Sequence, residues 1–369
     1  MMRISLAIAV LSLASIGTST AAPYVPRDNA EVLAELPPGA AHVAAPELQL
    51  TRTRLDVALP LAQFYIGRSR ATGDLHYLGY AEAALNPWLT PKAPPAVLIL
   101  QATILQSRHA FASSLEELDR ALAAQPDNAQ AWLIRSTVLR VMGRYTEAAA
   151  ACEQLSKAGD PSITSLCTQS LRGLTGHLES AYLTLVGLPV QYLPEAARAW
   201  RYSELGEMAE RLGLDTDAER WFKEGLKLAP DDFYMRAAYS DLLLRAGRNA
   251  EVLTLLSQYR SMEPMLLRIA IAAKRLGRPD DARALLANAF TVEQQRGDPV
   301  HRREQARFLL DVEQSPEQAL AAALENWNVQ REPEDALILI RTAQASHRPA
   351  AAAPALDFLR AAKLEDVRL

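Results

Sequence analysis

Residues 199–232 read AWRYSELGEMAERLGLDTDAERWFKEGLKLAPDD. Tyr202, Leu205, Gly206 and Ala209 share one face of a first helix, Gly213 ends it, and Ala218 and Phe222 share the facing side of a second helix before Pro230 closes the unit. Two earlier stretches carry the same pattern about 34 residues apart. One has Leu98, Gln101, Ala102, Leu105, Ser114, Leu118 and Pro126; the other has Trp132, Arg135, Ser136, Leu139, Ala148, Cys152 and Pro161. A repeat of this length is one helical hairpin that cannot bury its apolar face alone and stacks on its neighbours.

The pattern W-x2-L-G-x2-Y, then A-x3-F, then P, with conservative replacements, resembles the tetratricopeptide repeat. Small residues on the first helix (Ala102, Ser136, Gly206, Ser240, Ala270) let the second helix come close opposite its own small residue (Ser114, Ala148, Ala218, Ala282). Residues 163–198 form a divergent copy around Gly176 and Ala181, and shortened units follow around Gly247 and Gly277. Helix pairs are expected near 300–313 with 316–329 and 334–346 with 351–361, and an atypical first pair at 48–70 with 77–85, where Pro60 predicts a kink or break. The expected fold is all-α: a right-handed superhelical solenoid of about eight hairpins over 48–369, clearest at 95–128, 129–162 and 199–232. A Pro- and Ala-rich arm at 22–47 precedes it.

The first 21 residues point to export. Arg3, an apolar run from Ile4 to Ile16 and small residues up to Ala21 describe a secretory signal peptide, with cleavage expected before Ala22. The run is shorter than the ~20 residues that span a bilayer, and no later stretch is both long and charge-free enough. An exported, periplasmic protein follows. Cys152 and Cys167 are the sole cysteines. One sits late in a second helix and the other early in the next helix, with a turn at Gly159–Pro161 between them, so they are candidates for a disulfide in an oxidising compartment. Two buried thiols are the alternative.

The chain has 49% apolar but only 6% aromatic residues, and a net charge of −4 with both signs spread along it. No basic field offers itself to nucleic acid. The six histidines show no metal-ligand spacing, and neither a nucleophile elbow nor a phosphate loop occurs, so no catalytic residue, metal or cofactor is expected. His301-Arg302-Arg303-Glu304 is the nearest thing to a reactive cluster and reads as a solvated charged turn. Binding residues come from geometry instead. First helices line the concave surface of such solenoids, which puts Arg140, Glu207, Arg211, Asp241, Arg245 and Lys274 in the groove as a mixed-sign ladder. Gln101 and Arg135 replace expected leucines, so they are either partnered or reach that groove.

Over its mature length the chain is similar to exported bacterial tetratricopeptide-repeat proteins, on the repeat residues above and on stretches such as Pro26–Leu33, Leu105–His109 and Leu324–Trp327. The resemblance implies a scaffold or adaptor whose groove holds a peptide or partner helix. A docking subunit of a cell-envelope assembly or export complex is the second reading, and a small-ligand binder or enzyme with a groove site the third. The sequence leaves the oligomeric state open.

Overall fold

The computed structural model describes residues 50–296 and 301–369. The expected signal segment 1–21 and the arm 22–47 lie outside the described residues. Eighteen α-helices follow one another among the described residues. They are α1 (Leu55–Thr72), α2 (His76–Leu85), α3 (Pro95–Ser107), α4 (Phe111–Ala124), α5 (Ala129–Val141), α6 (Tyr145–Ala158), α7 (Pro161–Arg172), α8 (Leu178–Gly187) and α9 (Glu195–Arg211). Then come α10 (Asp215–Leu228), α11 (Phe233–Arg245), α12 (Asn249–Leu255), α13 (Glu263–Arg275), α14 (Ala282–Arg296), α15 (Arg302–Arg307), α16 (Pro316–Trp327), α17 (Pro333–Ala345) and α18 (Ala353–Ala362).

The helices form nine pairs rather than about eight, and the backbone marks each turn. Gly73, His109, Gly143, Gly176, Gly213, Gly247, Gly277, Gln314 and His347 all have φ between 55° and 78°, one in each hairpin. Glycine enters this left-handed region freely, whereas a side chain there costs roughly 1–2 kcal/mol. His109, Gln314 and His347 therefore hold a glycine's place, which hides these turns from a search for glycine. Pro60 does not break α1, which continues through it to Thr72. Both Pro60 and Asp56, whose carbonyl loses its helical partner, are exposed, so water can replace the missing bond.

Polar side chains start three of the first helices, α5, α7 and α11. The side chains of Asn128, Asp160 and Asp232 accept from the backbone N–H of Ala131 (3.0 Å), Ser162 (2.7 Å) and Met235 (2.9 Å), satisfying donors that the first turn leaves open. Within each pair the small residues meet. Ser114 Oγ donates to the Ala102 carbonyl (2.8 Å) and Ser136 Oγ to that of Ala148 (3.0 Å), bonds possible only where two backbones nearly touch. Gly206 lies against the Phe222 ring so closely that a Cβ would come within 2.6 Å of Phe222 Cδ1. One apolar core runs through α3–α7 and a second from α7 through α14 to Phe308 and Val312, with Ile163 and Trp200 packed against both. Cys152 and Cys167 are joined as a disulfide with Cα atoms 5.8 Å apart, tying α6 to α7. Closing a loop of this size stabilises by about 3 kcal/mol in the chain-entropy view.

The last helices do not continue outward. Arg331 N donates to the Val141 carbonyl (2.8 Å), Phe358 lies 5.5 Å from the Tyr145 ring, Leu178 N donates to the Glu365 carboxylate (2.8 Å) and Val367 N to the Arg211 carbonyl (3.0 Å). The segment 330–367 thus returns along the turns of the second to fifth hairpins. Gly206→Leu should overpack the contact with Phe222 and cost about 2 kcal/mol or more, read as a lowered urea midpoint. An unchanged midpoint would mean that α9 and α10 do not meet at Gly206.

Candidate functional site on the inner face of the repeats

Successive first helices set a row of charged side chains on one face, partnered by neighbouring hairpins and, at Asp241 and Lys274, by the returning segment. Arg140 on α5 donates to Glu204 on α9 (2.7 Å), whose carboxylate also accepts from Trp200 Nε1 (3.0 Å). Arg211, 4% exposed, donates to the Gly173 carbonyl (2.6 Å). Asp241 on α11 sits between Arg268 on α13 (2.5 Å) and Arg307 on α15 (2.7 Å). Arg245 reaches back to Glu210 (2.6 Å) and Asp215 (2.9 Å). Lys274 donates to the Asp311 (3.0 Å) and Val312 (2.7 Å) carbonyls, in the single π-helical turn Phe308–Val312 that follows α15.

Arg140, Glu207 and Arg211 come together around one cavity of about 20 Å³, room for a single water, which Tyr145 and Glu332 also line. Gln101 and Arg135 stand apart from it. Gln101 is buried with its Oε1 unpartnered, and Arg135 pairs with Asp119 of the preceding hairpin. Trp200, in the second turn of α9, is half-buried against both cores, while Tyr234, in the first turn of α11, is exposed. Sequence reasoning missed Glu204, Arg268, Arg307 and Glu332. A usable signal existed for one of them: Glu204, Glu207 and Glu210 repeat every three residues along α9 and make one acidic stripe.

Burial sets the electrostatics. It pushes Glu207 up to about 8, helped by neighbouring Glu204 and Glu332, and Glu210 up to about 7 against the pull of Arg245. Asp241 goes the other way, because Arg268 and Arg307 outweigh its burial and hold it well below the usual carboxylate range. The turn that reads as solvated in the sequence is enclosed. His301 Nδ1 lies 3.0 Å from Glu263 and 2.5 Å from Glu293, and Arg303 is 3.4 Å from the buried Asp335. Burial disfavours charge on His301, but the surrounding carboxylates prevail and raise it to about 10. Glu263, Glu293 and His301 offer ligand atoms within 4.8 Å of one another and could hold a divalent cation; a proton on His301 meets the same charge requirement. Among the described residues no helix is long and apolar enough to cross a membrane.

No protein-family model matches the chain, and no curated protein matches it. Solved structures share its helical-repeat architecture at low identity. A chain of the APC/C hetero-tetramer Cut9–Hcn1 is 13% identical over 84% of this chain and 81% of that one, with a TM-score of 0.41. A tetratricopeptide repeat protein from Parabacteroides merdae ATCC 43184 is 15% identical over 80% and 99%, with a TM-score of 0.37. Yeast Tom70 is 12% identical over 84% and 85%, with a TM-score of 0.31.

Glu207, Glu210 and His301 all have folded-state values above their unfolded ones, so the native protein binds extra protons and loses stability as pH rises through those values. The depressed carboxylate of Asp241 acts in the opposite direction, but its contribution is already complete above about pH 5. Stability should therefore fall by on the order of 5–7 kcal/mol between pH 6 and pH 9, measured by urea unfolding at each pH. A flat or rising profile would mean that these groups are not buried as described.

Proposed function

We propose that the protein is an exported interaction scaffold whose inner face holds a helical segment of another protein. The observation that carries this reading is the way the face already grips helix. Asp241 holds Arg307 and Lys274 caps the Asp311 and Val312 carbonyls, so first-helix charges take hold of a helical element by one side chain and by free carbonyls. Charges arranged this way set register and partner choice more than raw affinity. The Cys152–Cys167 bridge supports an oxidising compartment, and with it the signal peptide expected at 1–21.

Arg211 is too deeply buried to serve as a contact whose charge could be reversed harmlessly, so the test uses positions that keep the fold. A photo-crosslinking residue placed at Thr137, one turn before Arg140 on α5, should trap protein partners in intact cells. The same residue at Glu117 or Lys223, on the second helices, should trap far less. Crosslinks confined to the second-helix positions would contradict the proposed binding face.

A further inference from the structure

Helices α16–α18, together with Ala306 of α15, have an apolar core in which Leu320, Ala323, Trp327, Leu339 and Leu359 form a cluster distinct from those of the earlier repeats. This module meets α3–α10 through apolar packing as well as polar bonds: Phe358, Ala362 and Leu364 lie against the core of α3–α7. Arg331 N bonds the Val141 carbonyl, Gln330 Nε2 lies 3.2 Å from His109 Nδ1, Glu365 caps the start of α8, and Val367 N bonds the Arg211 carbonyl. Phe358 against Tyr145 is the main ring contact across the boundary. A terminal unit whose core is largely its own can open locally before the rest of the chain unfolds, exposing its backbone amides to exchange.

At its centre lies the cavity where Glu204 and Glu207 of α9 face Glu332, which caps the start of α17. Every element packed there contributes a charged or titratable group. Arg211 stands on the same helix as Glu207, Arg140 comes from α5, Tyr145 from α6, and Tyr234 from α11. Arg303 of α15 stands beyond Glu332 at 3.3 Å. Arg140 is bonded to Glu204, Arg211 to the Gly173 carbonyl, and Arg303 to Glu332 and Asp335. An ionised Glu207 would face two carboxylates across a water-sized space.

We propose that α16–α18 and the strap 363–369 are a latch over the inner face, shut while the Glu204–Glu207–Glu332 cluster holds a proton and released when it loses it. The latch regulates the binding face proposed above and rests on that reading for its purpose, though not for its motion. In the closed form burial and the two neighbouring carboxylates raise Glu207 to about 8; once Glu332 leaves and water enters, the group returns towards its ordinary 4.5. A closed state that binds the proton more tightly loses ground as pH rises, and the open-to-closed ratio should grow about 30-fold between pH 6.5 and pH 9.0. Asp241–Arg307 and the Lys274 contacts lie outside the cluster and keep α15 anchored.

Hydrogen–deuterium exchange on the full chain, corrected for intrinsic amide rates, tests this. Peptides covering 326–345, 358–369 and 174–178 should lose protection about 30-fold at pH 9.0 relative to pH 6.5, while 95–124 loses no more than the global unfolding measured in urea at the same two pH values accounts for. Glu207→Gln carries no charge at either pH and should hold the loss to within about threefold. Glu332→Gln keeps the helix-capping oxygen, removes one repelling carboxylate, and decides the matter should Glu207→Gln fail to fold: its loss should be clearly smaller than that of the natural chain. Equal protection at both pH values, a loss spread evenly along the chain, or a full-sized loss in the folded variants would each overturn the latch. Failed partner trapping at Thr137 with an intact exchange response would count against the binding reading and leave the latch standing.

Discussion

A charge taken out of water must meet its counter-charge inside the molecule, and Asp241 shows how this chain complies. Its carboxylate lies between Arg268 of the next hairpin and Arg307 of the returning segment, and the two guanidiniums keep it ionised despite burial. The residue couples three parts of the chain: α11 that carries it, the stacked neighbour α13, and α15 where the chain turns back. Removing either arginine would leave a buried negative charge short of a partner, which typically costs 3–5 kcal/mol.

The rest of the inner face obeys the same requirement. Arg140 reaches across from α5 to Glu204 on α9, Arg245 reaches from α11 to Glu210, and Lys274 satisfies two carbonyls of the π-helical turn after α15. Each of these bonds joins hairpins rather than lying within one. Apolar packing between small residues holds each pair together, and the charged bonds fix how the pairs are arranged. Such bonds contribute little net stability against an apolar replacement, yet they penalise every register in which a partner is missing. Where the supply of arginine runs short, at Glu207, the protein keeps a proton instead, and that substitution makes the boundary with α16–α18 sensitive to pH.

Repeat geometry was legible because it is local. Ala102 opposite Ser114, Ser136 opposite Ala148, and Gly206 against Phe222 are contacts between residues of one hairpin, and their spacing is written into the period. Turns at His109, Gln314 and His347 were harder to see, because stacking holds a side-chain-bearing residue in a conformation that local preference disfavours. The ladder positions could be placed on first helices, but not their partners. Contacts such as Asp241 with Arg307, Val141 with Arg331, and Arg211 with Val367 join distant parts of the chain, and no local periodicity encodes them. Gln101 shows the limit from the other side: a polar residue in a packing position suggested a partner, yet its carbonyl oxygen is buried without one.

An inner face already occupied by its own chain changes what binding would require, since a partner must compete with α15–α18 or wait for them to move. That account depends on the C-terminal helices meeting the first helices through buried charge. A double-mutant cycle between Asp241→Asn and Arg307→Gln, read by urea unfolding, measures this contact most directly. The structure predicts a coupling energy of about 1.5–3 kcal/mol between the two positions. Effects that simply add, within about 0.5 kcal/mol, would mean that the two side chains do not meet and that the C-terminal segment does not return to the inner face.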